Sequence, residues 1–215
     1  MGGMLIVFEG GEGAGKTTQI ERSRAWLHQH LAPEIPVIAT REPGGTPLGG
    51  GIRRLLLEEQ LPCDRAELLL YAADRAQHVA DCLKPALNKG AIVLCDRYTD
   101  STIAYQGYGR GLDLHLIQQL NAIATGGLQS DLTLWLDVDV EVGLKRVSRR
   151  GKSDRLEKTE FAFHQRVRQG FAQLAATPTP RRIRVDANGS VEEVALEIER
   201  ILSQTLSFVI GKALV

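Results

Sequence analysis

The sequence predicts an α/β fold in which a five-stranded parallel sheet is flanked by helices. Short apolar runs alternate with longer helical patterns along nearly the whole chain. Such alternation favours right-handed crossovers and a parallel sheet. The first apolar run, residues 4–9, leads into Gly-Gly-Glu-Gly-Ala-Gly-Lys-Thr at residues 10–17. That octapeptide matches the phosphate-binding loop pattern G-x-x-x-x-G-K-[ST], which stands between a strand and a helix.

The five predicted strands are short, mostly apolar and followed by polar or turn residues, as in a sheet covered on both faces. Parallel sheets bind their ligands beyond the carboxyl ends of the strands. The residues that follow each strand are therefore the first candidates for chemistry. The strands are expected at residues 4–9, 37–40, 91–95, 132–137 and 182–186.

The longest predicted helix covers residues 64–88. Asp64 and Glu67 have the spacing of a capping box at its start, and Gly90 follows its end. Pro85 falls inside it, so we expect a kink or an early end. Other helices are expected at residues 17–30, 113–124 with Asp113 as cap, 140–150, 159–176, and 190–206 with Ser190 and Glu193 as a second capping box.

The glycine-rich loop predicts a nucleotide site. Glycine permits positive φ and a close approach of the backbone to a ligand. Successive N–H groups and the following helix N-terminus attract phosphate. Lys16 has the position that reaches the β- and γ-phosphates of ATP, and the Thr17 hydroxyl has that of a Mg²⁺ ligand. The predicted ATP site comprises Gly10, Gly11, Glu12, Gly13, Ala14, Gly15, Lys16, Thr17 and Thr18.

Composition narrows the class of protein. The 215 residues suit a single domain, 1–215, with a substantial core. Lys+Arg and Asp+Glu both number 26, so a basic surface for nucleic-acid polymers is not indicated. The three cysteines lack metal-ligand spacing, which favours reduced thiols and a cytoplasmic protein. The sequence contains no apolar run of membrane-spanning length and no signal-peptide pattern at its start, so no membrane association is expected.

Charged residues directly follow the second and third predicted strands. Asp96 has the position of a Mg²⁺ ligand at a strand end, and Arg97 lies beside it as an anion donor. Arg41 follows the second strand and precedes the turn Pro43-Gly-Gly. Arginine suits this setting because its planar guanidinium binds phosphate with two parallel hydrogen bonds. We therefore predict a metal site formed by Thr17 and Asp96, with phosphate-binding arginines around it.

Six segments carry a resemblance to a known family. They are the loop at residues 10–17, REPGGT at 41–46, YAADR at 71–75, DRY at 96–98, YQG at 105–107 and DRLE at 154–157. In order and spacing the chain resembles the thymidylate kinases from about residue 4 to residue 189. The resemblance implies a P-loop nucleoside-monophosphate-kinase-like fold and a homodimer. It also implies the reaction ATP + dTMP → ADP + dTDP, with Mg²⁺ as cofactor.

The resemblance further implies which residues bind dTMP. Arginine is chemically suited to the phosphate, and a phenol such as that of Tyr71 can stack on a base. Arg75 lies one helical turn from Tyr71 and shares its face. The implied dTMP contacts are Arg41, Arg53 and Arg97 for the phosphate, Tyr71, Arg75 and Thr102 for thymine, and Tyr105, Gln106 and Glu12 around the sugar.

A basic stretch at residues 145–155 predicts a mobile lid over ATP, at about residues 149–158. Phosphoryl transfer needs positive charge on the transferring group. The phosphate loop carries Glu12 and no arginine, so the lid is the natural source. A phosphate loop without arginine and a lid with several arginines resemble the bacterial subclass of thymidylate kinases in which the lid supplies the catalytic arginine. Arg150 and Arg155 are favoured over Arg149, and the predicted catalytic residues are Lys16, Asp96, Arg97, Arg150 and Arg155.

Three other functions remain open at this stage. A kinase for another nucleoside monophosphate or a deoxynucleoside would differ in its base pocket. A non-catalytic nucleotide-binding protein would not need the lid arginines or Lys16. A GTPase-like switch would need a guanine-reading N-K-x-D motif, and the segment Asn88-Lys89-Gly90-Ala91 lacks its aspartate.

Overall fold

Five parallel strands form one sheet in the order β2-β3-β1-β4-β5. The computed structural model describes residues 2–58, 63–151, 154–157, 159–177 and 181–210. Residues 207–210 are described in backbone only. The predicted number of strands and their parallel arrangement are confirmed, with bounds shifted by one residue in two strands. The strands are β1 (Met4–Glu9), β2 (Val37–Arg41), β3 (Ile92–Asp96), β4 (Leu132–Asp137) and β5 (Arg182–Asp186).

The strand order determines where a ligand binds. β1 lies between β3 and β4, with Phe8 opposite Asp96 on one side and Glu9 opposite Trp135 on the other. The chain therefore crosses from one side of β1 to the other, which opens a crevice at the carboxyl end of the sheet. The glycine loop after β1 and the Asp96-Arg97 pair after β3 share this edge.

Nine α-helices cover the sheet within the described residues. α2 and α5 lie outside the predicted helices. Gly49, Gly50 and Gly51 disfavour helix in α2, but a Cβ at Gly49 would lie 2.4 Å from Asp74 Oδ1, so tertiary packing requires glycine there. The helices are α1 (Lys16–His30), α2 (Pro47–Glu58), α3 (Asp64–His78), α4 (Lys84–Asn88), α5 (Thr99–Thr102), α6 (Leu114–Thr125), α7 (Val140–Arg149), α8 (Phe161–Ala176) and α9 (Val191–Ile210).

The long predicted helix changes its hydrogen bonding before Pro85. α3 passes into a π-helical stretch, Val79–Leu83, and α4 follows it. Pro85 has no N–H to donate to the carbonyl of residue 81, so the helix widens at this point. A second π-helical stretch, Ile103–Gly109, follows α5 and carries two predicted site residues. Local π-helical geometry is frequent at functional sites.

The predicted helix caps have mixed outcomes. The capping box at Asp64 is wrong, because Cys63 is the N-cap residue and the Glu67 side chain bonds to other elements instead. Asp113 caps α6 as predicted. The second capping box is confirmed: Ser190 N donates to Glu193 Oε2 at 2.8 Å, and Glu193 N donates to Ser190 Oγ at 3.2 Å.

Alternate residues of β1 pack into two hydrophobic clusters, one on each face of the sheet. Ile6 and Phe8 face α1 and α9, whereas Leu5 and Val7 face the π-helical stretch Val79–Leu83. A third cluster lies beside the carboxyl end of the sheet and includes Tyr105 and Leu156. Within the described chain, no helix has the length and apolar character needed to cross a membrane.

Candidate active site

The glycine loop has the backbone geometry expected of a phosphate cradle. Gly10, Gly13 and Gly15 have φ values of +146°, +69° and +85°, which side chains other than hydrogen disfavour. A Cβ at Gly13 would lie 2.1 Å from the carbonyl oxygen of Gly143 in α7, so the loop fits tightly under that helix. Packing against α7 therefore fixes the loop backbone in the conformation that binds phosphate.

Lys16 is buried at the start of α1. Its Nζ donates to the carbonyl oxygens of Gly10 and Gly11, each at 3.1 Å. Burial and the neighbouring Arg97 lower the pKa of its ammonium group, although Asp96 and Glu12 oppose the shift. Within the described residues its hydrogen bonds go to these two loop carbonyls, whose place phosphate oxygens can take.

Asp96 and Thr17 lie together, as the sequence predicts for a magnesium site. Thr17 Oγ1 donates to Asp96 Oδ2 at 3.3 Å across the loop. The second carboxylate oxygen, Oδ1, is buried and has no hydrogen-bond partner among the described residues. A buried oxygen in that state fits a hard cation or one of its waters.

Arg97 connects the phosphate loop with the neighbouring cavity. Its backbone has φ +72°, the left-handed region that non-glycine residues rarely occupy. Nη1 donates to Gly10 O at 3.0 Å, and Nη2 donates to Glu12 Oε1 at 2.8 Å and to Tyr105 Oη at 3.0 Å. The guanidinium therefore joins the phosphate loop to the Tyr105 side of the cavity.

Glu9 fixes the strained backbone around Arg97. Its Oε1 accepts hydrogen bonds from the backbone N–H groups of Tyr98 (2.9 Å) and Ser101 (3.1 Å), and its Oε2 accepts from Ser101 Oγ at 2.5 Å. The same Ser101 hydroxyl oxygen accepts from Arg97 Nη1 at 3.1 Å. Burial, followed by repulsion from Asp100, raises the pKa of Glu9 to about 7. In the sequence, Glu9 is marked only as the last residue of an apolar strand.

We expect Glu9→Gln to remove a destabilising contribution that grows with pH. Because the pKa of Glu9 is raised in the folded chain, the folded state keeps a proton that the unfolded state has lost between about pH 4.5 and 7. Glu9 therefore lowers the free energy of unfolding as pH rises through that window. Urea unfolding of both proteins at several pH values measures the effect. An unchanged pH dependence in the variant contradicts the prediction.

Glu12 remains a carboxylate throughout the neutral range. Burial alone would raise its pKa, but Arg97, Lys16 and the Tyr105 hydroxyl outweigh burial and bring the pKa to about 2. Tyr105 Oη donates to Glu12 Oε1 at 2.6 Å. Glu12 is therefore an acceptor for a donor such as a sugar hydroxyl and has no proton to give.

A small cavity opens from the main cleft beside Arg97. Its predicted lining residues are Tyr71, Arg75, Arg97, Thr102, Tyr105 and Gln106, which the structure brings together, and Glu42, Ser101 and Leu156 complete it. Leu156 comes from the predicted lid, so this segment also borders the cavity.

Arg75 is fully buried beneath this cavity. Nε donates to Glu42 Oε2 at 2.7 Å, and Nη1 donates to Thr102 Oγ1 at 2.9 Å and to Asn121 Oδ1 at 2.6 Å. Nη2 donates to the Tyr98 carbonyl at 2.9 Å. A guanidinium has five N–H donors, so within the described chain one hydrogen on Nη2 stays free for a ligand acceptor.

The two favoured lid arginines are both paired with carboxylates of the protein. Arg150 pairs with Glu157, and Arg155 pairs with Glu67 of α3. Arg155 Nε also donates to the Leu56 carbonyl at 2.9 Å. Both side chains line the main cleft. Lys152, Ser153 and Lys158 of the predicted lid lie outside the described residues.

The main cleft contains most of the predicted site. Arg53 lies at its edge, and its Nη1 donates to the Pro43 carbonyl at 2.9 Å. Gly10 and Gly11 lie behind the cleft as acceptors for Lys16. The predicted residues that line the cleft are Glu12, Gly13, Ala14, Gly15, Lys16, Thr17, Thr18, Arg41, Arg53, Tyr71, Asp96, Arg97, Arg150 and Arg155.

Arg146 is a cleft residue that sequence analysis did not single out. Its Nη1 donates to the Ala187 carbonyl at 2.8 Å, and its Nη2 donates to the carbonyls of Asn188 (3.2 Å) and Gly189 (3.1 Å). It thereby joins α7 to the turn between β5 and α9. The basic stretch at residues 145–155 was the available signal, but sequence alone does not separate Arg146 from its charged neighbours.

The chain matches known proteins over most of its length. The protein-family model "Thymidylate kinase" matches residues 8–198. The thymidylate kinase of Trichormus variabilis is 60% identical over 212 residues, covering 96% of this chain and 98% of that protein. That of Thermosynechococcus vestitus is 55% identical over 215 residues, covering 95% and 88%. The crystal structure of thymidylate kinase from Ehrlichia chaffeensis is 35% identical, with a TM-score of 0.77, covering 94% of this chain and all of that one.

The phosphate loop after β1 and the small cavity beside Arg97 lie at the same edge of the sheet. This arrangement is that of a P-loop kinase that phosphorylates a small acceptor. The sequence and structure matches make that class specific. This chain belongs to the thymidylate kinase family, and it is a phosphotransferase.

Proposed function

We propose that this chain transfers the γ-phosphoryl group of ATP to dTMP and produces ADP and dTDP. The observation that carries the proposal is the position of Arg97, which contacts the phosphate loop at Gly10 and the acceptor cavity at Tyr105. One guanidinium can therefore neutralise charge on both phosphates as they approach. Phosphoryl transfer depends chiefly on such positioning and charge stabilisation.

The ATP phosphates are proposed to bind the loop amides and Lys16. Mg²⁺ would be held by Thr17, with Asp96 as a direct or water-mediated ligand, and it supplies charge neutralisation on the transferred phosphoryl. The unpartnered Oδ1 of Asp96 supports this assignment. Lys16 then exchanges its loop carbonyls for phosphate oxygens.

The dTMP phosphate is proposed to bind Arg41, Arg53 and Arg97, with thymine against Tyr71. The free hydrogen on Arg75 Nη2 suits a carbonyl acceptor on the base, which thymine and uracil have at position 4. Cytosine presents an amino donor there instead, so it leaves that hydrogen unpaired. An unpaired buried donor lowers turnover of the wrong substrate more than a missing methyl group does. Discrimination against dCMP should therefore exceed that against dUMP.

A turnover assay with four monophosphates tests this assignment. ADP release is measured with dTMP, dUMP, dCMP and dGMP in parallel. We expect dTMP to be best, dUMP to be slower by about 10- to 200-fold at most, and dCMP and dGMP to be worse still. A preference for dCMP or dGMP would replace this proposal with a kinase for another nucleoside monophosphate. No turnover of any acceptor would support a nucleotide-binding protein without catalysis.

Tyr105 is proposed to exclude the 2′-hydroxyl of a ribonucleotide, with Gln106 beside it as part of the same wall. The Tyr105 ring is buried, and its hydroxyl is held by Glu12 and Arg97. We expect Tyr105→Ala to raise the ratio of ribo- to deoxynucleotide turnover, because it removes the ring that fills this space. Tyr105→Phe is the matched control, since it keeps the ring. An unchanged ratio in Tyr105→Ala contradicts the assignment.

We also propose that residues 1–215 form one kinase domain in which residues 149–158 are a mobile lid. The pairs Arg150–Glu157 and Arg155–Glu67 support a lid whose arginines exchange carboxylates for ATP. Arg150 is 60% exposed and pairs with a buried carboxylate, and Arg155 is 22% exposed. Both arginines line the main cleft, from which a phosphate can compete for them. Free thiols at all three cysteines support a cytoplasmic location.

A homodimer is proposed to form through helices α3 and α6. Leu69 of α3 is 51% exposed, and Leu116 and Ile123 of α6 are 40% and 76% exposed. α3 and α6 pack against each other, and exposed apolar side chains on such a helix pair favour a protein interface there. Light scattering of the intact chain and of Ile123→Glu tests the idea. The variant should be monomeric if the face is the interface, and a parent chain that is itself monomeric rules the dimer out.

A further inference from the structure

A cluster of reactive side chains lies behind the dTMP cavity. His78 is completely buried at the end of α3. Its Nδ1 lies 2.9 Å from Glu42 Oε1, and its Nε2 lies 2.7 Å from Thr40 Oγ1 in the edge strand β2. Cys82 lies one helical turn beyond His78, with its Sγ 4.0 Å from the same Thr40 Oγ1. Glu42, His78, Thr40 and Cys82 therefore form a connected series, which we call the Cys82 relay.

The His78 ring is fixed in this orientation. A Cβ on Gly45 of the REPGGT segment would lie 2.6 Å from both Cδ2 and Nε2 of the ring. The ring cannot turn without displacing this backbone. Glu42 is an acceptor, so Nδ1 carries a hydrogen.

The relay favours a positive charge on His78 and lowers the pKa of the Cys82 thiol. Burial alone would lower the pKa of His78, but Cys82 and Glu42 outweigh it and raise this pKa to about 9. In the imidazolium both nitrogens donate, so the Thr40 oxygen accepts from Nε2 and its own hydrogen is available to sulfur. His78 in turn holds the pKa of the Cys82 thiol below its ordinary value, although Asp81 opposes this. Asp74 is also close enough to interact with the charges of His78, Glu42 and Arg75.

The other two cysteines provide a contrast within the same chain. Cys63 is exposed at the start of α3, and Cys95 is buried in β3. Burial raises the pKa of the Cys95 thiol well above its ordinary value. Cys82 has intermediate exposure and is the cysteine with a histidine one turn away. Thiolates next to cationic histidine are the reactive form of cysteine in proteins.

We propose that Cys82 is a modification site, a nucleophilic thiolate formed by the Cys82 relay that reacts with low-molecular-weight disulfides and weakens dTMP binding when it does. The thiolate attacks one sulfur of the disulfide and forms a new S–S bond with it. The disulfide's own S–S bond breaks, and its second sulfur leaves as a thiolate. Charge and protons balance, and no further oxidant is required.

The effect on dTMP follows from the other end of the relay. Glu42 accepts from His78 through Oε1 and from Arg75 through Oε2. A mixed disulfide removes the thiolate that stabilises the imidazolium, and this weakens the His78–Glu42 pair. Glu42 is then free to shift and takes Arg75 with it. We expect the KM for dTMP to rise by about 5-fold, the size expected for loss of one buried hydrogen bond, with the KM for ATP unchanged.

The labelling experiment uses the intact chain and does not depend on enzyme activity. 4,4′-Dithiodipyridine and iodoacetamide are reacted with the protein from pH 5 to pH 9. Peptide mass spectrometry then gives the rate at Cys82, Cys63 and Cys95 separately. We expect the rate at Cys82 to reach half its maximum at a lower pH than the rate at Cys63. A midpoint at Cys82 equal to or above that of Cys63 overturns the proposal.

Two variants test the relay. Thr40→Val keeps the shape of the side chain and removes the hydroxyl, and it should move the Cys82 midpoint up to that of Cys63. His78→Gln should raise the Cys82 midpoint in the same way. If the His78→Gln protein does not fold, the Thr40→Val result decides. A Cys82 midpoint that stays low in Thr40→Val overturns the role of the relay. Cys63 serves as the internal control in every sample.

The kinetic experiment measures the KM for dTMP, so it rests on the proposed function in taking dTMP as the substrate. Protein treated with glutathione disulfide should show the raised KM for dTMP, and dithiothreitol should reverse it. Cys82→Ser also lacks the thiolate, so it should show the raised KM for dTMP before treatment and no further change after it. A modified Cys82 with unchanged KM for dTMP overturns the link to the cavity. If the protein does not turn over dTMP at all, the labelling still measures the thiol, so the two failures are distinguishable.

Discussion

Lys16→Ala is expected to lower kcat by roughly 10³-fold and to leave the fold intact. The charge lost is the one that stabilises the transferring phosphoryl, and terms of this kind are the largest in such reactions. Stability should not fall, because burial disfavours the charged ammonium and lowers its pKa, and its hydrogen bonds among the described residues go to the carbonyls of Gly10 and Gly11. Steady-state turnover together with urea unfolding measures both effects.

Lys89→Ala is the matched control, because Lys89 is exposed in the turn after α4, away from the cleft. It should keep both turnover and stability. Lys16→Arg separates charge from shape: the loop carbonyls closely surround the ammonium, and the larger guanidinium should restore little activity. Near-normal turnover in a folded Lys16→Ala protein would remove Lys16 from the mechanism.

The phosphate loop could be predicted in detail because its chemistry is local. Eight consecutive residues specify the turn, the donors and the hydroxyl, and the preceding strand confirms the context. The magnesium candidates were also accessible, since Asp96 directly follows an apolar run. The carboxyl ends of parallel strands meet at one edge, so a strand order was not needed to bring Thr17 and Asp96 together.

The residues that sequence analysis missed depend on contacts distant in the chain. Glu42 lies within the REPGGT motif, but its partners Arg75 and His78 lie 33 and 36 residues further along. Glu9 supports Tyr98 and Ser101 from the neighbouring strand β1, about 90 residues earlier in the chain. No periodicity or spacing marks such pairs in a single sequence. The glycines of α2 show the same limit, because packing against Asp74 explains one of them only in three dimensions.

The family resemblance supplied residue roles that the pattern of residues alone did not. Arg75 is implied as a base contact by the resemblance; it lines the cavity, and four of its donors bond to protein groups that no sequence pattern marks. The capping box at Asp64 is wrong because of contacts distant in the chain. Glu67 has the correct spacing for a cap, but Gln106 and Arg155 draw its carboxylate toward the cleft. Long-range ion pairs outweighed a local signal worth about 1 kcal/mol.

Loss of a lid arginine is the second change with a large expected effect. The phosphate loop carries Glu12, whose carboxylate stays ionised, so the loop adds negative charge where the transition state needs positive charge. Arg150→Ala and Arg155→Ala should therefore reduce kcat, by roughly 10³- to 10⁵-fold for whichever arginine contacts the transferring phosphoryl. The KM for dTMP should change little, because this contact forms mainly in the transition state. Single-turnover kinetics with saturating ATP and dTMP measures the loss directly.

The ion pairs of the lid allow the two arginines to be distinguished. Glu157→Gln releases Arg150, and Glu67→Gln releases Arg155, so the catalytic arginine should bind ATP more readily when its own carboxylate is removed. Arg54→Ala is the control, since Arg54 is an exposed arginine of α2. Lysine at the catalytic position should restore activity poorly, because it lacks the planar fork of donors. If both alanine variants keep kcat and lose only ATP affinity, the lid is an electrostatic cover, and the catalytic charge comes from Lys16, Arg97 and Mg²⁺.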